Sequence, residues 1–316
     1  MDEGLKSKYD LLDKINEQIA VINNIKELDV ENKFGLQDKI NQLLEYKESM
    51  EKMISAITTK KKAVVFVLTD QAGFASIFGF LCRAYIFAKE NGYDFFIKHN
   101  KWHYTYKDGW NDYFTTLKEF DFLTKYDSID YYWWNYMNVI PEYNVEKYCD
   151  CMKELFKLKE NLLEKSDEFI KTIGGEYISI YVRRGDKCLE DPYMDIPSLV
   201  SSFTITDTDK LFIQTDDYYV IDEIKRLLPN NEIHTMTEKM ESGSHMMKIR
   251  EFSPEDIKTH TENLLVSIYV FLKGKKCYSD RRSNIGRLHK LLAIDTVTLY
   301  PFYLPNTIKP QFYLDI

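Results

Sequence analysis

Ile178-Ser179-Ile180-Tyr181-Val182-Arg183-Arg184-Gly185-Asp186-Lys187 sets an apolar, β-branched run directly against two arginines and an aspartate. The run reads as a buried strand. Its end presents forked cations, because each guanidinium offers planar, bidentate donors that suit phosphate oxygens. Two further strand-like runs also finish in polar tips. Lys210-Leu211-Phe212-Ile213-Gln214 closes on Thr215-Asp216-Asp217, and Cys277-Tyr278-Ser279 leads into Arg282-Ser283-Asn284-Ile285-Gly286-Arg287 ahead of a helical pattern. Ligands of open α/β sheets bind beyond the carboxyl ends of the strands, so the three tips are expected to meet at one crevice.

Outward from this stretch, strands at 177–182, 211–214, 233–234 and 276–279 alternate with helices near 221–228, 253–272 and from 285 onward. That alternation predicts a parallel sheet with helices on both faces. Upstream, Ala63-Val64-Val65-Phe66-Val67-Leu68 reads as a second buried parallel strand. A Gly73-Phe74 turn, an apolar helix at 77–89 and a strand at 93–97 complete a βαβ start. The loop behind Gly73 has no GxGxxG fingerprint, so no dinucleotide site is expected there; a glycine does permit a tight turn close to a ligand. One charged helix, 145–172, is expected to join the two halves.

Aromatic residues crowd 102–114 and 131–136, among them Trp102, Tyr104, Trp110 and Phe114. Large aromatics are mostly buried for area, although their faces also stack on sugar rings. Near the N-terminus, Leu12, Ile15, Ile19 and Ile22 form one helical stripe. Leu36, Ile40, Leu43, Met50, Ile54 and Ile57 form a second, interrupted by Lys47. Two helices joined by a turn fit this pattern, either as a coiled-coil hairpin that pairs subunits or as an arm folded on its own body.

With 316 residues, 44% of them hydrophobic, the chain can bury substantial cores. A net charge of -8 argues against a nucleic-acid face. Five scattered cysteines give no disulfide framework, and Cys149-Asp150-Cys151 lacks zinc-knuckle spacing, so reduced thiols are expected. The first residues are charged and no later run reaches a membrane span. A cytoplasmic protein is expected, unless an anchor lies outside this sequence.

Together the motifs resemble those of the α-1,6-fucosyltransferase family, with its core and nodulation-factor members. Arg183-Arg184-Gly185-Asp186-Lys187 is similar to the family's Arg-Arg-x-Asp-Lys, with Tyr181 where the family usually has His. Thr215-Asp216-Asp217 and Ser283-x-x-x-Arg287 look like its second and third motifs. Gly73-Phe74, then Trp102-His103-Tyr104, Gly109-Trp110 and Phe114, look like its upstream segment. The resemblance covers roughly residues 61–295.

It implies a GT-B-like, two-lobe α/β glycosyltransferase: an open α/β lobe at 61–174 and a Rossmann-like GDP-fucose-binding lobe at 175–300. A helical hairpin or coiled coil at 1–60 precedes them and an extension at 301–316 follows. The implied reaction is inverting transfer of L-fucose from GDP-β-L-fucose to a glycan hydroxyl, in α-1,6 linkage to GlcNAc or a similar sugar, without a cofactor or metal. Arg183 and Arg184 would carry the diphosphate, Lys187 would add a point charge and Asp186 would orient an arginine or the donor. Glu190, one residue closer to the motif than in the family, would be the base, with Asp191 in the same loop.

Thr215, Asp216 and Asp217 would contact the nucleotide, Ser283 and Arg287 the phosphates, and Gly73 and Phe74 the donor. Trp102, Tyr104, Trp110, Asp191 and Tyr193 would face the acceptor. Partners are then the donor, a glycan and a second copy held through the N-terminal helices. The two adjacent aspartates could instead suggest a metal site, but side chains of neighbours at a strand end point oppositely. Alternatives are an α-1,2-fucosyltransferase, whose motif shares the Arg-Arg-Gly-Asp, a protein O-fucosyltransferase, or a non-catalytic sugar-nucleotide or glycan-binding coiled-coil protein.

Overall fold

The computed structural model describes residues 10–11, 13–21, 36–58, 61–121, 123, 126–133, 140–185, 195–243 and 249–300. The chain divides into two compact units, 1–62 with 125–128, and 63–124 with 129–316. In the first, α1 (13–21) and α2 (Leu36–Thr58) are helical as the stripes predict. Ile15, Ile40 and Met50 are buried, whereas Leu11, Val21, Leu44 and Tyr46 remain exposed. Leu12 and Ile22 of the expected stripe lie outside the described residues.

The second unit is built on two sheets. One has the order β2-β1-β3, from β1 (Lys62–Leu68), β2 (Asp94–His99) and β3 (Ser128–Tyr132), with β1 and β2 parallel. Between them runs α3 (Phe74–Glu90), buried nearly all round, as a uniformly apolar helix must be. Its start is fixed by stacked rings: Phe78 on Trp110 at 5.5 Å and Trp110 on Phe114 at 4.2 Å.

The expected single helix at 145–172 is two helices, α4 (Val145–Leu155) and α5 (Glu160–Ile173). Tertiary hydrogen bonds break it. Thr115 N donates to Lys157 O at 3.1 Å and Lys159 N to Tyr113 O at 2.9 Å, so this backbone pairs with a distant segment instead of continuing the helix. Helix α5 then ends on Gly174 in the left-handed conformation, φ 66°. The structure also corrects the expectation of five reduced thiols: Cys82 and Cys151 are joined, with Cα atoms 6.1 Å apart, where α3 meets α4. Nothing in a spacing of 69 residues announces that meeting.

The second sheet has the order β6-β5-β4-β7-β8, every pair parallel, from β4 (Tyr177–Val182), β5 (Lys210–Thr215), β6 (Ile233–His234), β7 (Lys276–Asp280) and β8 (Val297–Tyr300). Its helices are α6 (Ile196–Ser201), α7 (Tyr218–Leu227), α8 (Pro254–Leu272) and α9 (Asn284–Leu292). Alternate residues of β4 serve different cores. Tyr177 and Tyr181 join the larger cluster, while Ile178, Ile180 and Val182 join the smaller one. Burial on both faces is why this strand reads as an unbroken apolar run.

Candidate active site

From β4 the chain winds outward through β5 to β6, then returns to the other side of β4 for β7 and β8. The order therefore reverses between β4 and β7, and a crevice is expected past their carboxyl ends. A cleft of about 750 Å³ lies there. Arg183, Thr215, Asp216 and Ser283 line it, joined by Gly73, Phe74 and Tyr104. Residues from four separated motifs thus face one space.

The arginines have different surroundings. Arg183 faces the cleft and donates from Nη1 to Asp216 Oδ2. Arg184 is 6% exposed, and its backbone N donates to Asp216 Oδ1 at 2.8 Å. One carboxylate thereby ties the end of β4 to the end of β5. Beyond Arg184 the chain turns at Gly185 with φ 59°, a left-handed conformation that a side chain disfavours. A Cβ on Gly243 would stand 2.5 Å from Gly185 Cα, so the two turns press backbone against backbone.

Asp217 caps α7, its carboxylate accepting from Tyr219 N at 3.0 Å. Thr215 Oγ1 accepts from Asp217 N at 3.2 Å. Ser283 caps α9, accepting from Ile285 N at 3.2 Å. The positive end of that helix dipole therefore opens on the cleft. Arg287, one turn into α9, is buried and does not line the cleft. Gly286 lets α9 approach β7; a Cβ there would fall 1.9 Å from Asp280 O.

Arg282, which opens the third polar tip but lies outside the family-like Ser283-x-x-x-Arg287, lines the cleft and is gripped by Asp280 through Nε at 3.0 Å and Nη2 at 2.9 Å. Asp280 has no exposed surface, and stranding one charge of such a buried pair costs about 3–5 kcal/mol. Its signal in the sequence is the Asp-x-Arg spacing at a strand end. Gln214, inside β5, also lines the cleft; its amide donates to Ser267 at 2.9 Å, leaving Oε1 unpartnered.

Across the cleft, Gly73 caps α3 at φ -65°, a value open to any residue, and the volume its side chain would fill is empty. Glycine here supplies space rather than a special turn. Tyr104 holds that helix start, its hydroxyl accepting from Phe74 N at 3.0 Å. Trp102 and Trp110, 3% and 1% exposed, belong to the aromatic core and are not among the residues lining the cleft. His260 lines the cleft, its pKa lowered by burial. Asp186, Lys187, Glu190, Asp191 and Tyr193 lie outside the described residues.

No family model and no curated protein sequence matches the chain. Solved structures do. The NodZ alpha-1,6-fucosyltransferase soaked with GDP-fucose superposes with a TM-score of 0.52 at 13% identity, covering 74% of this chain and 93% of that one. The fold is that of fucosyltransferases. An Arabidopsis thaliana FUT1 mutant in complex with GDP has a TM-score of 0.50 at 10% identity, covering 82% of this chain and 76% of that one. Among the described residues no helix is long and apolar enough to cross a membrane, and no group of three His, Cys, Asp or Glu side chains is placed to hold a metal ion.

Proposed function

We propose that the chain is an inverting fucosyltransferase that moves L-fucose from GDP-β-L-fucose to a glycan hydroxyl. The observation that carries this reading is the convergence of Arg183, Thr215, Asp216 and Ser283 on one cleft, in a fold shared with fucosyltransferases. The leaving group is a diphosphate, so the site must stabilise negative charge as the glycosidic bond breaks. Arg183 supplies a guanidinium, α9 a helix N-terminus and Ser283 a hydroxyl.

Asp216 holds Arg183 in the cleft. Lys187, Asp186 and the Glu190 base complete the mechanism by resemblance to the family motif. The 61–174 and 175–300 segments act as the two lobes of the transferase. The linkage is α-1,6 to GlcNAc or a similar sugar, and a homodimer forms through α1 and α2. Transfer needs no metal, since cationic side chains take the role of a divalent ion.

Ligand-dependent melting tests the donor. GDP and GDP-fucose should raise the melting temperature by mass action, and UDP-glucose should not. Equal stabilisation by UDP-glucose would sink the reading. A glycan array developed with GDP-fucose then identifies the acceptor, and activity should survive excess EDTA; loss restored by Mn²⁺ would return Asp216 and Asp217 to a ligand role.

A further inference from the structure

Tyr181 stands where the family resemblance leads one to expect His, and among the described residues its hydroxyl has a single partner. That hydroxyl is 2.9 Å from Ser283 Oγ. Both residues line the cleft, 4% and 6% exposed. Ser283 Oγ also accepts from Ile285 N at 3.2 Å. Tyr181 itself is immobilised: its carbonyl accepts from the Tyr300 hydroxyl, and its ring meets the edge of His289 at 5.2 Å.

A hydroxyl has one proton and two lone pairs. The Tyr181–Ser283 pair therefore holds two protons, and their mutual bond uses one. Whichever of the two donates, the other's proton meets no acceptor among the described residues. A buried donor without an acceptor is costly unless a ligand supplies one. If Tyr181 donates, Ser283 Oγ has both lone pairs filled, by the phenol and by Ile285 N, and its proton must point away from both. Ser283 lines the cleft at the positive end of α9, as Arg183 does from the end of β4, and an anionic oxygen favoured there would supply the acceptor.

We infer that Tyr181 is a positioning residue: its phenol donates to Ser283, which turns the Ser283 proton onto an anionic oxygen of the bound diphosphate. This rests on the nucleotide-sugar reading above and deepens it. Phenylalanine at position 181 would keep the ring and leave Ser283 free to rotate.

Calorimetric titration of GDP into the full chain tests it, using wild type, Tyr181→Phe, Ser283→Ala and the double variant. Each single change should weaken GDP binding about tenfold, the scale of one hydrogen bond to a charged group. The double variant should bind no worse than the weaker single one, because both changes remove the same bond. Binding of guanosine, which lacks phosphates, should be unchanged in all four; a merely structural role for Tyr181 would weaken guanosine too.

Wild-type GDP affinity in Tyr181→Phe, or losses that add in the double variant, would overturn the inference while leaving the nucleotide reading intact. Should Tyr181→Phe fail to fold, Ser283→Ala with undiminished GDP affinity would overturn it equally. A wild-type chain that does not bind GDP would reject the nucleotide reading itself.

Discussion

Arg183 and Arg184 are adjacent in sequence and unlike in circumstance, and substitutions should separate them. Arg183→Ala should lower transfer on the order of a hundredfold, the usual cost of one charge-stabilising donor, with a smaller loss of melting temperature than Arg184→Ala causes, since Asp216 keeps its bond from Arg184 N. Arg183→Lys should not restore it, since an ammonium lacks the planar fork. Arg184→Ala should lower both rate and melting temperature, because Arg184 is buried. Steady-state kinetics with melting curves on all three variants checks this, and a purely kinetic effect of Arg184→Ala would refute the distinction.

Acid should act through buried imidazoles. Burial pushes His103 down to about 4 and His289 down to about 3. The unfolded chain, with histidines near 6.5, therefore binds more protons between those values, and stability must fall as pH drops through that window. Melting temperature should decline from pH 7 toward 4. His289→Phe should melt lower at pH 7, having lost the 2.9 Å contact of Ser279 Oγ with His289 Nδ1, but with a shallower acid slope. An unchanged slope would show that other groups dominate.

At the scale of elements, two glycines decide how closely secondary structures approach. Gly286→Ala would put a methyl 1.9 Å from Asp280 O, so α9 could not keep its place against β7. Overpacking of this kind costs about 1–3 kcal/mol or more, and the displaced cap should weaken GDP binding as well. Gly243→Ala would press on Gly185 and add a strained φ of 102°, so it should disturb the turn after the arginines. Melting curves and GDP titration of both variants report these effects; unaltered GDP affinity in Gly286→Ala would show that α9 takes no part in the site.

Elements were legible in the sequence where one face or both were uniformly apolar. β1, β4 and α3 announce themselves because burial leaves no polar position to interrupt them. The break between α4 and α5 was hidden, since what ends the helix is the backbone near Tyr113, more than 40 residues away in sequence. The bond between Tyr181 and Ser283 spans 102 residues and could not be read either. The polar strand tips could be read, because arginine, aspartate and serine have no reason to end an apolar run unless something polar waits there. The same logic reaches the grip of Asp280 on Arg282, since an acid and a base two residues apart at the third strand end can pair locally.

At the scale of the molecule, the cleft residues belong to the second compact unit, while α1 and α2 belong to the first. A chain lacking residues 1–58 should therefore still bind GDP. Light scattering should report a dimer for the full chain and a monomer for the shortened one. A full chain that scatters as a monomer at micromolar concentration would reject pairing through the helices.

The central place of β4, flanked by β5 and β7, has a consequence for timing. Its amides are hydrogen-bonded on both sides and shielded by both cores, so they can take up deuterium only when the whole sheet opens. The turn at Gly243 is held more lightly, its amide donating to Asp216 O at 2.7 Å beside the exposed Glu241 and Ser242. In D₂O the 178–182 amides should be the last to exchange whether or not nucleotide is present, while those of 241–243 should exchange earlier and slow down once GDP is added. The arginines would then ride on the most slowly opening strand in the molecule, and whatever breathing the site shows would come from the turn packed against Gly185 just beyond them.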